Sequence, residues 1–257
     1  MKVVILAGGL GTRLSEETVI KPKPMVEIGD RPILWHIMKI YSHYGFDDFI
    51  ILLGYKGSII KDYFLNLENY SNDIHLDLES GDTTLLTSNR EKWKVSLVET
   101  GESSMTGSRV AQALRYTNNE SFLLTYGDGL SDVDINKLIE FHKNHGKLAT
   151  MTSVVPDQKF GVFEKDDSML VTSFSEKPQS AGQEINGGFF VFEPEIKEYL
   201  DEDKDCVLEE EPLKNLVSDS NLYAYPHKGY WRCMDTLKDK NDLNKEWLAG
   251  DARWKVW

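Results

Sequence analysis

Residues 3–14 read Val3-Val4-Ile5-Leu6-Ala7-Gly8-Gly9-Leu10-Gly11-Thr12-Arg13-Leu14, an unbroken apolar run that passes directly into three glycines. A short continuous apolar segment ending in glycine predicts a strand buried on both faces. Such a strand needs helices above and below it, and the next segments supply them. Arg31–Tyr44 carries Ile33, Leu34, Ile37, Met38, Tyr41 and Tyr44 at helical spacing, with Asp30 before Pro32 as the expected N-cap and Gly45 as the stop. Phe49–Leu53 predicts a second buried strand, Lys61–Leu67 a helix, Phe122–Tyr126 a further strand, and Ile135–His145 a helix closing at Gly146. Asp132 and Asp134 read as loop and cap residues ahead of that helix. Strands alternating with helices predict right-handed βαβ units and a mostly parallel sheet.

Two regions break this rhythm. Ile74-His75-Leu76-Asp77-Leu78 alternates with period two, as does part of Thr84–Val98, which predicts a small antiparallel appendage on one edge. Beyond residue 150, Gly161, Gly182, Gly187 and Gly188 interrupt the strands, and 194–218 and 236–249 read as helical cover. The expected fold is α/β: a single domain, with a Rossmann-like, mixed, mostly parallel sheet flanked by helices.

Length and composition narrow the function. At 257 residues the chain is one large domain or a domain with an appendage, long enough to fold without disulfides or structural zinc. Asp plus Glu number 42 against 29 Lys plus Arg, a net charge of −13. That balance argues against nucleic acid or an anionic membrane as partner, though a pocket can be basic while the exterior is acidic. Cys206 and Cys233 cannot by themselves form a zinc site or a disulfide framework, and are expected reduced. No apolar run is long enough to span a bilayer, and the first residues read as a strand, not a signal peptide, so a cytoplasmic location is expected.

The glycines after the first strand let backbone N–H groups turn inward and cradle phosphate oxygens. Arg13 would serve as a fork donor to a polyphosphate and Lys23, in Lys21-Pro22-Lys23-Pro24-Met25, as a point charge on a second phosphoryl group. A tight βα turn with surface cations fits the same residues. A Rossmann dinucleotide site does not, because Leu14 stands where its third glycine belongs and Leu52-Leu53-Gly54-Tyr55 offers no carboxylate. The P-loop pattern is absent. Asp128 follows a buried strand through Gly127, at the carboxyl edge where α/β ligand sites form. Asp235 lies far away in sequence, after an aromatic and basic run. Taken alone, either is also a turn or cap aspartate. The six histidines show no metal-ligand spacing.

Gly8–Leu14 with Lys21–Met25, Tyr126-Gly127-Asp128, Phe160-Gly161-Val162, Ser175-Glu176-Lys177-Pro178, Asn186-Gly187-Gly188-Phe189-Phe190 and Trp231–Thr236 together closely resemble the signature of sugar-1-phosphate nucleotidyltransferases. The resemblance runs along almost the whole chain. It implies the nucleotide-diphospho-sugar transferase type of fold, with a nucleotide-binding half at about 1–150 and a sugar-binding half at about 151–257. It implies Mg2+ on Asp128 and Asp235. It assigns the nucleotide to Leu6, Ala7, Gly8, Gly9, Leu10, Gly11, Thr12, Arg13, Lys23, Glu99, Ser104, Arg109, Gly127 and Asp128. The sugar phosphate falls to Gly161, Glu176, Lys177, Asn186, Gly187 and Trp231. Arg13 would stabilise the leaving pyrophosphate, while Lys23 and Lys177 neutralise the two reacting phosphoryl groups. A homo-oligomer is implied; the segment Trp247–Trp257 reads either as an interface or as a terminal helix packed on its own core.

One stretch departs from the relatives. Uridylyl and thymidylyl members resemble one another in a Gln-Pro pair after the strand here written Val95–Val98. This chain has Glu99-Thr100-Gly101 and a longer Glu102–Thr106 insertion, then resumes as Gly107-Ser108-Arg109-Val110-Ala111-Gln112-Ala113. A carboxylate accepts only, so it would repel the C4 carbonyl of uracil or thymine and accept from the N4 amino group of cytosine. Arg109 would then donate to cytosine O2 or N3, or reach the triphosphate. A Glu99 that merely ends a strand leaves base reading to backbone groups of Gly8, Gly9 and the Ser103–Gly107 loop. The expected substrates are CTP and glucose 1-phosphate, with a product serving dideoxysugars of lipopolysaccharide O-antigens. A uridylyl- or thymidylyltransferase on the same scaffold is the alternative, as is a non-catalytic sugar-nucleotide sensor. Loss of Arg13, Lys23, Asp128 or Asp235 would favour the sensor, and all four are present.

Overall fold

In a computed structural model, which describes residues 1–156, 162–165, 167–175 and 183–257, seven strands build the central sheet. They are β1 (Val3–Leu6), β2 (Asp48–Leu53), β3 (Lys94–Glu99), β4 (Phe122–Tyr126), β5 (Ala149–Val154), β6 (Ile185–Phe192) and β7 (Leu222–His227). Their order is β7-β5-β6-β4-β1-β2-β3. All neighbours are parallel except those of β6, which runs against both β4 and β5. The mixed, mostly parallel sheet is therefore as the element order predicted.

Each β1 residue is fully or nearly fully buried. Val3 and Ile5 belong to one core, Val4 and Leu6 to the other, which is why this strand shows no apolar–polar alternation. Helices α1 (Ile33–His43), α4 (Ile135–His145) and α6 (Leu237–Leu248) contribute to the first core, as does Ile60 of α2 (Gly57–Leu65). Helices α3 (Thr106–Ala113) and α5 (Glu211–Ser218) cover the opposite face. The small antiparallel pair Ile74–Leu76 with Thr83–Leu85 forms the appendage, but the later part of the alternating stretch is β3, a parallel edge strand of the main sheet.

Three local expectations need correction. Asp30 does not cap α1: Arg31–Pro32 pairs back onto Glu27–Ile28, so the helix begins one residue after Pro32 with no side-chain cap. The helix expected at Lys61–Leu67 begins earlier, at Gly57, and a separate short helix covers Leu67–Ser71. Residues 194–218 are not continuous helix, since a 3-10 segment at Pro194–Tyr199 precedes α5. Asp134 does cap α4, its side chain accepting from the Lys137 amide at 3.0 Å. The aromatic C-terminal segment packs on its own core: Trp254 is fully buried, with its ring near those of His36, Tyr230 and Trp247. Among the described residues no helix is long and apolar enough to cross a membrane.

The carboxyl ends of β1 and β4 and the beginning of β6 face one edge of the sheet, because β6 is reversed. A two-stranded ribbon sits there as well. Gly129–Ser131 pairs antiparallel with Trp231–Cys233, and the Met234 amide donates to the Asp128 carbonyl at 2.9 Å.

Candidate active site

The glycine segment forms one wall of a cleft of about 330 Å³ lined by residues that include Leu6, Ala7, Gly8, Gly9, Gly11, Arg13, Lys23, Ser104, Arg109, Gly127 and Asp128. Gly11 adopts φ 64, a left-handed conformation, and an added Cβ would lie 2.8 Å from Thr18 Cγ2. Thr18 Oγ1 donates to the Gly11 carbonyl at 3.1 Å and holds the turn. The amides of Gly9, Leu10 and Gly11 have no acceptor among the described residues, which suits them to an anion. Leu10, about half exposed, and Thr12, also exposed, are not among the residues that line the cleft.

The ribbon brings together the two carboxylates that sequence holds far apart. Asp128 follows β4, and Asp235 follows the Trp231–Cys233 strand at the N-terminus of α6. The start of α6 is a reciprocal capping box between Thr236 and Asp239, and Asp239 Oδ2 also accepts from the Asp235 amide at 3.2 Å. The result is a fixed pair. Lys23 Nζ donates at 2.6 Å to Asp128 Oδ2 and at 2.6 Å to Asp235 Oδ1, while Arg13 Nη1 reaches Asp235 Oδ2 at 2.8 Å. Burial works against the charge on Lys23, but the charge of Asp128 and hydrogen bonds to both carboxylates outweigh it and raise its pKa. Single ligand atoms of Asp128, Cys233 and Asp235 lie within 4.8 Å of one another. Burial, followed by the Asp128 charge, pushes the Cys233 thiol far up, so it stays protonated. The oxygens of Asp128 and Asp235 therefore fit a hard divalent cation, and Cys233 fills space beside them.

A second hollow of about 260 Å³ lies beyond the carboxylates and shares Arg13, Tyr126 and Asp128 with the first. Asn186, Gly187 and Trp231, all expected on the sugar side, line it. Trp231 Nε1 donates to the Gly187 carbonyl at 2.7 Å, and Asn186 Oδ1 accepts from the Gly188 amide at 2.8 Å. Gly161, Glu176 and Lys177 lie outside the described residues. Tyr126 was not among the sequence candidates, yet it borders both hollows. Its hydroxyl donates to Glu209 and accepts from Asn186 Nδ2 at 3.2 Å. The available signal was its place in the Tyr126-Gly127-Asp128 motif, at the end of a buried strand two residues before Asp128.

Base reading is where the sequence expectation departs from the geometry. Glu99 is exposed and forms an ion pair with Lys61 at 2.6 Å, and it does not line the cleft. Its neighbour Thr100 turns inward instead, donating from Oγ1 to the Leu53 carbonyl at 2.6 Å. Arg109 is 3% exposed and already committed. Its guanidinium donates to the Leu53 carbonyl (2.9 Å), Thr100 Oγ1 (2.5 Å), the Gly8 carbonyl (3.1 Å) and the Glu102 carbonyl (3.2 Å). It braces the glycine segment against the 100–106 loop from beneath. Ser104, Met105 and Thr106 are the loop residues that reach the cleft. A hollow of about 500 Å³ between Phe64, Leu67, Trp93 and the β3 residues Val95 and Leu97 contains none of these groups.

Loop amides without an acceptor on one side of a cation-neutralised carboxylate pair, and a second hollow on the other, set two compartments around one charged centre. Residues 2–248 match the family described as Nucleotidyl transferase. The chain is 50% identical to "Glucose-1-phosphate cytidylyltransferase" of Salmonella typhi, with 100% of both chains covered. It is 48% identical to "Probable glucose-1-phosphate cytidylyltransferase" of Bacillus subtilis (strain 168), again over 100% of each. Among solved structures, HddC from Yersinia pseudotuberculosis superposes with a TM-score of 0.69 at 25% identity, covering 96% of this chain and 99% of that one. The chain belongs to the nucleotidyl transferase family.

Proposed function

We propose that the enzyme transfers the cytidylyl group of CTP to α-D-glucose 1-phosphate, giving CDP-glucose and pyrophosphate. The observation that carries the reaction type is the convergence of Asp128 and Asp235 between the two hollows, with Lys23 and Arg13 on them. The substrate pair draws on the full-length identity to relatives bearing that name.

In this reading the sugar phosphate oxygen attacks the α-phosphorus in line, forming a P–O bond as the bond to pyrophosphate breaks. No protein nucleophile takes part, so catalysis is positioning and charge stabilisation. The amides of Gly9 and Gly11 grip the triphosphate, and Arg13 stabilises the departing pyrophosphate. Lys23 neutralises the nucleotide phosphates. Asp128 and Asp235 would hold magnesium, which when bound neutralises charge on the phosphate oxygens. Asn186, Gly187 and Trp231 orient the hexose; Glu176 and Lys177 are assigned to its hydroxyls and phosphate by the resemblance. With Glu99 turned to Lys61, discrimination of the base falls to the backbone of Gly8, Gly9 and the Glu102–Thr106 loop, held in register by Arg109. The same reading takes residues of about 1–150 as the nucleotide half and about 151–257 as the sugar half of a cytoplasmic homo-oligomer.

Pyrophosphate release measured with CTP, UTP, dTTP and GTP, each crossed with several sugar 1-phosphates, tests it. Turnover should be greatest for CTP with glucose 1-phosphate. Preference for UTP or dTTP would transfer the enzyme to that alternative, and no release with any pair would favour a sensor.

A further inference from the structure

Lys23 occupies the position a cation would take. Its Nζ lies 2.6 Å from one oxygen of each carboxylate, bridging Asp128 and Asp235. The Lys23 side chain is 11% exposed against 25% and 22% for its two partners, so it is the most buried of the three. Together with Arg13 on the outer oxygen of Asp235, it balances the two negative charges. A divalent ion shared by the same two oxygens would lie against the ammonium, and repulsion between the two makes their occupancy mutually exclusive.

The backbone at Lys23 cannot retreat. Lys23–Met25 is a 3-10 turn flanked by Pro22, with the Met25 amide on the Pro22 carbonyl at 2.8 Å and the Val26 amide on the Lys23 carbonyl at 3.1 Å. Relief must come from the side chain's own torsions. Its stem runs beneath the glycine loop, and a Cβ added to Gly11 would lie 3.1 Å from Lys23 Cβ. Lys23 also lines the cleft beside those glycines. A polyphosphate held on the loop amides would therefore lie within reach of the ammonium through side-chain torsions alone.

We propose that Lys23 is the built-in counter-cation of the Asp128–Asp235 pair, so that a divalent ion binds there tightly only once a polyphosphate has drawn Lys23 off the carboxylates. The proposal rests on the reading of these two aspartates as the metal-holding pair. Lys23 then couples the two ligands: each favours the other by removing the same obstacle, and the coupling is reciprocal.

The test is titration of the full chain with Mn2+ alone, without nucleotide, reading free ion by electron paramagnetic resonance. Lys23→Met should bind Mn2+ at least about tenfold more tightly than the unaltered chain, because the competing charge is gone. Lys23→Gln should do the same while keeping a hydrogen-bond donor for the carboxylates, which covers the case in which Lys23→Met does not fold. Lys23→Arg, which retains the charge, should stay weak. If neither neutral variant binds Mn2+ more tightly while Asp128→Asn still abolishes binding, the counter-cation role is overturned and the metal assignment stands. Unchanged Mn2+ binding in Asp128→Asn would instead remove the carboxylate pair as the metal site, and this proposal with it.

Discussion

Asp128 shows what a single side chain contributes here. Asp128→Asn keeps the shape beside Lys23 but surrenders one of the two charges on which a hard cation depends. Pyrophosphate release should fall by roughly a hundredfold or more, with the melting temperature little changed. Asp235→Asn should match it, and the double variant should be scarcely worse, since the two act as a unit. Glu99 leads to the opposite expectation. Exposed and paired with Lys61, it should leave the CTP:UTP ratio unchanged on conversion to Gln; a ratio that narrowed severalfold would return Glu99 to the site. These two residues also mark how far sequence reading reached. Asp128 was legible because glycine after a buried strand fixes where the next carboxylate emerges. Glu99 was left with two readings because alternation at a strand end sends neighbouring side chains to opposite sides, and sequence does not say which side is the cleft. Thr100 took the inward place. Arg109 carried a polar motif's appearance but is spent on carbonyls, a role that only the fold reveals.

At the level of elements, β1, β4 and α4 were legible because burial on both faces or a clear helical stripe leaves one reading. The ribbon that joins Gly129–Ser131 to Trp231–Cys233 was not, since three-residue strands carry too little pattern and their pairing is a long-range event. Yet this ribbon is what makes a site from two distant aspartates. The start of β6 was partly legible: Gly188 read as an interruption of the strand. It adopts φ 80, and a Cβ there would lie 2.6 Å from the Tyr126 ring. Gly188→Ala should therefore cost about 1–3 kcal/mol of stability, visible as a lower urea midpoint. It should also weaken glucose 1-phosphate use more than CTP use, because Tyr126 and Asn186 are displaced on the sugar side.

The molecule as a whole is closed by its C-terminal aromatics, whose seat includes His36. This histidine is fully buried, its Nε2 donating to the Ile28 carbonyl at 2.9 Å, and Trp254 Nε1 lies 3.5 Å from its Nδ1. Burial pushes its pKa down to about 4 from 6.5. Between those values the unfolded chain takes up a proton that the folded chain refuses. The stability is thus fully present above pH 6.5 and is lost as pH falls towards 4, by up to about 3 kcal/mol. Urea midpoints from pH 7 to 4.5 should drop less steeply in His36→Gln than in the unaltered chain; parallel slopes would show that His36 does not drive the loss. The overall layering was legible from alternation of strands and helices, whereas the reversal of β6 was not, because direction within a sheet leaves no mark on composition. That reversal carries an evolutionary consequence. Register is pinned along Phe189–Phe192 against β4 and at Ile185 and Asn186 against β5, so side chains at the start of β6 can change without disturbing the frame. New acceptor preferences can thus be tried by mutation at the start of one strand while the nucleotide grip is inherited intact.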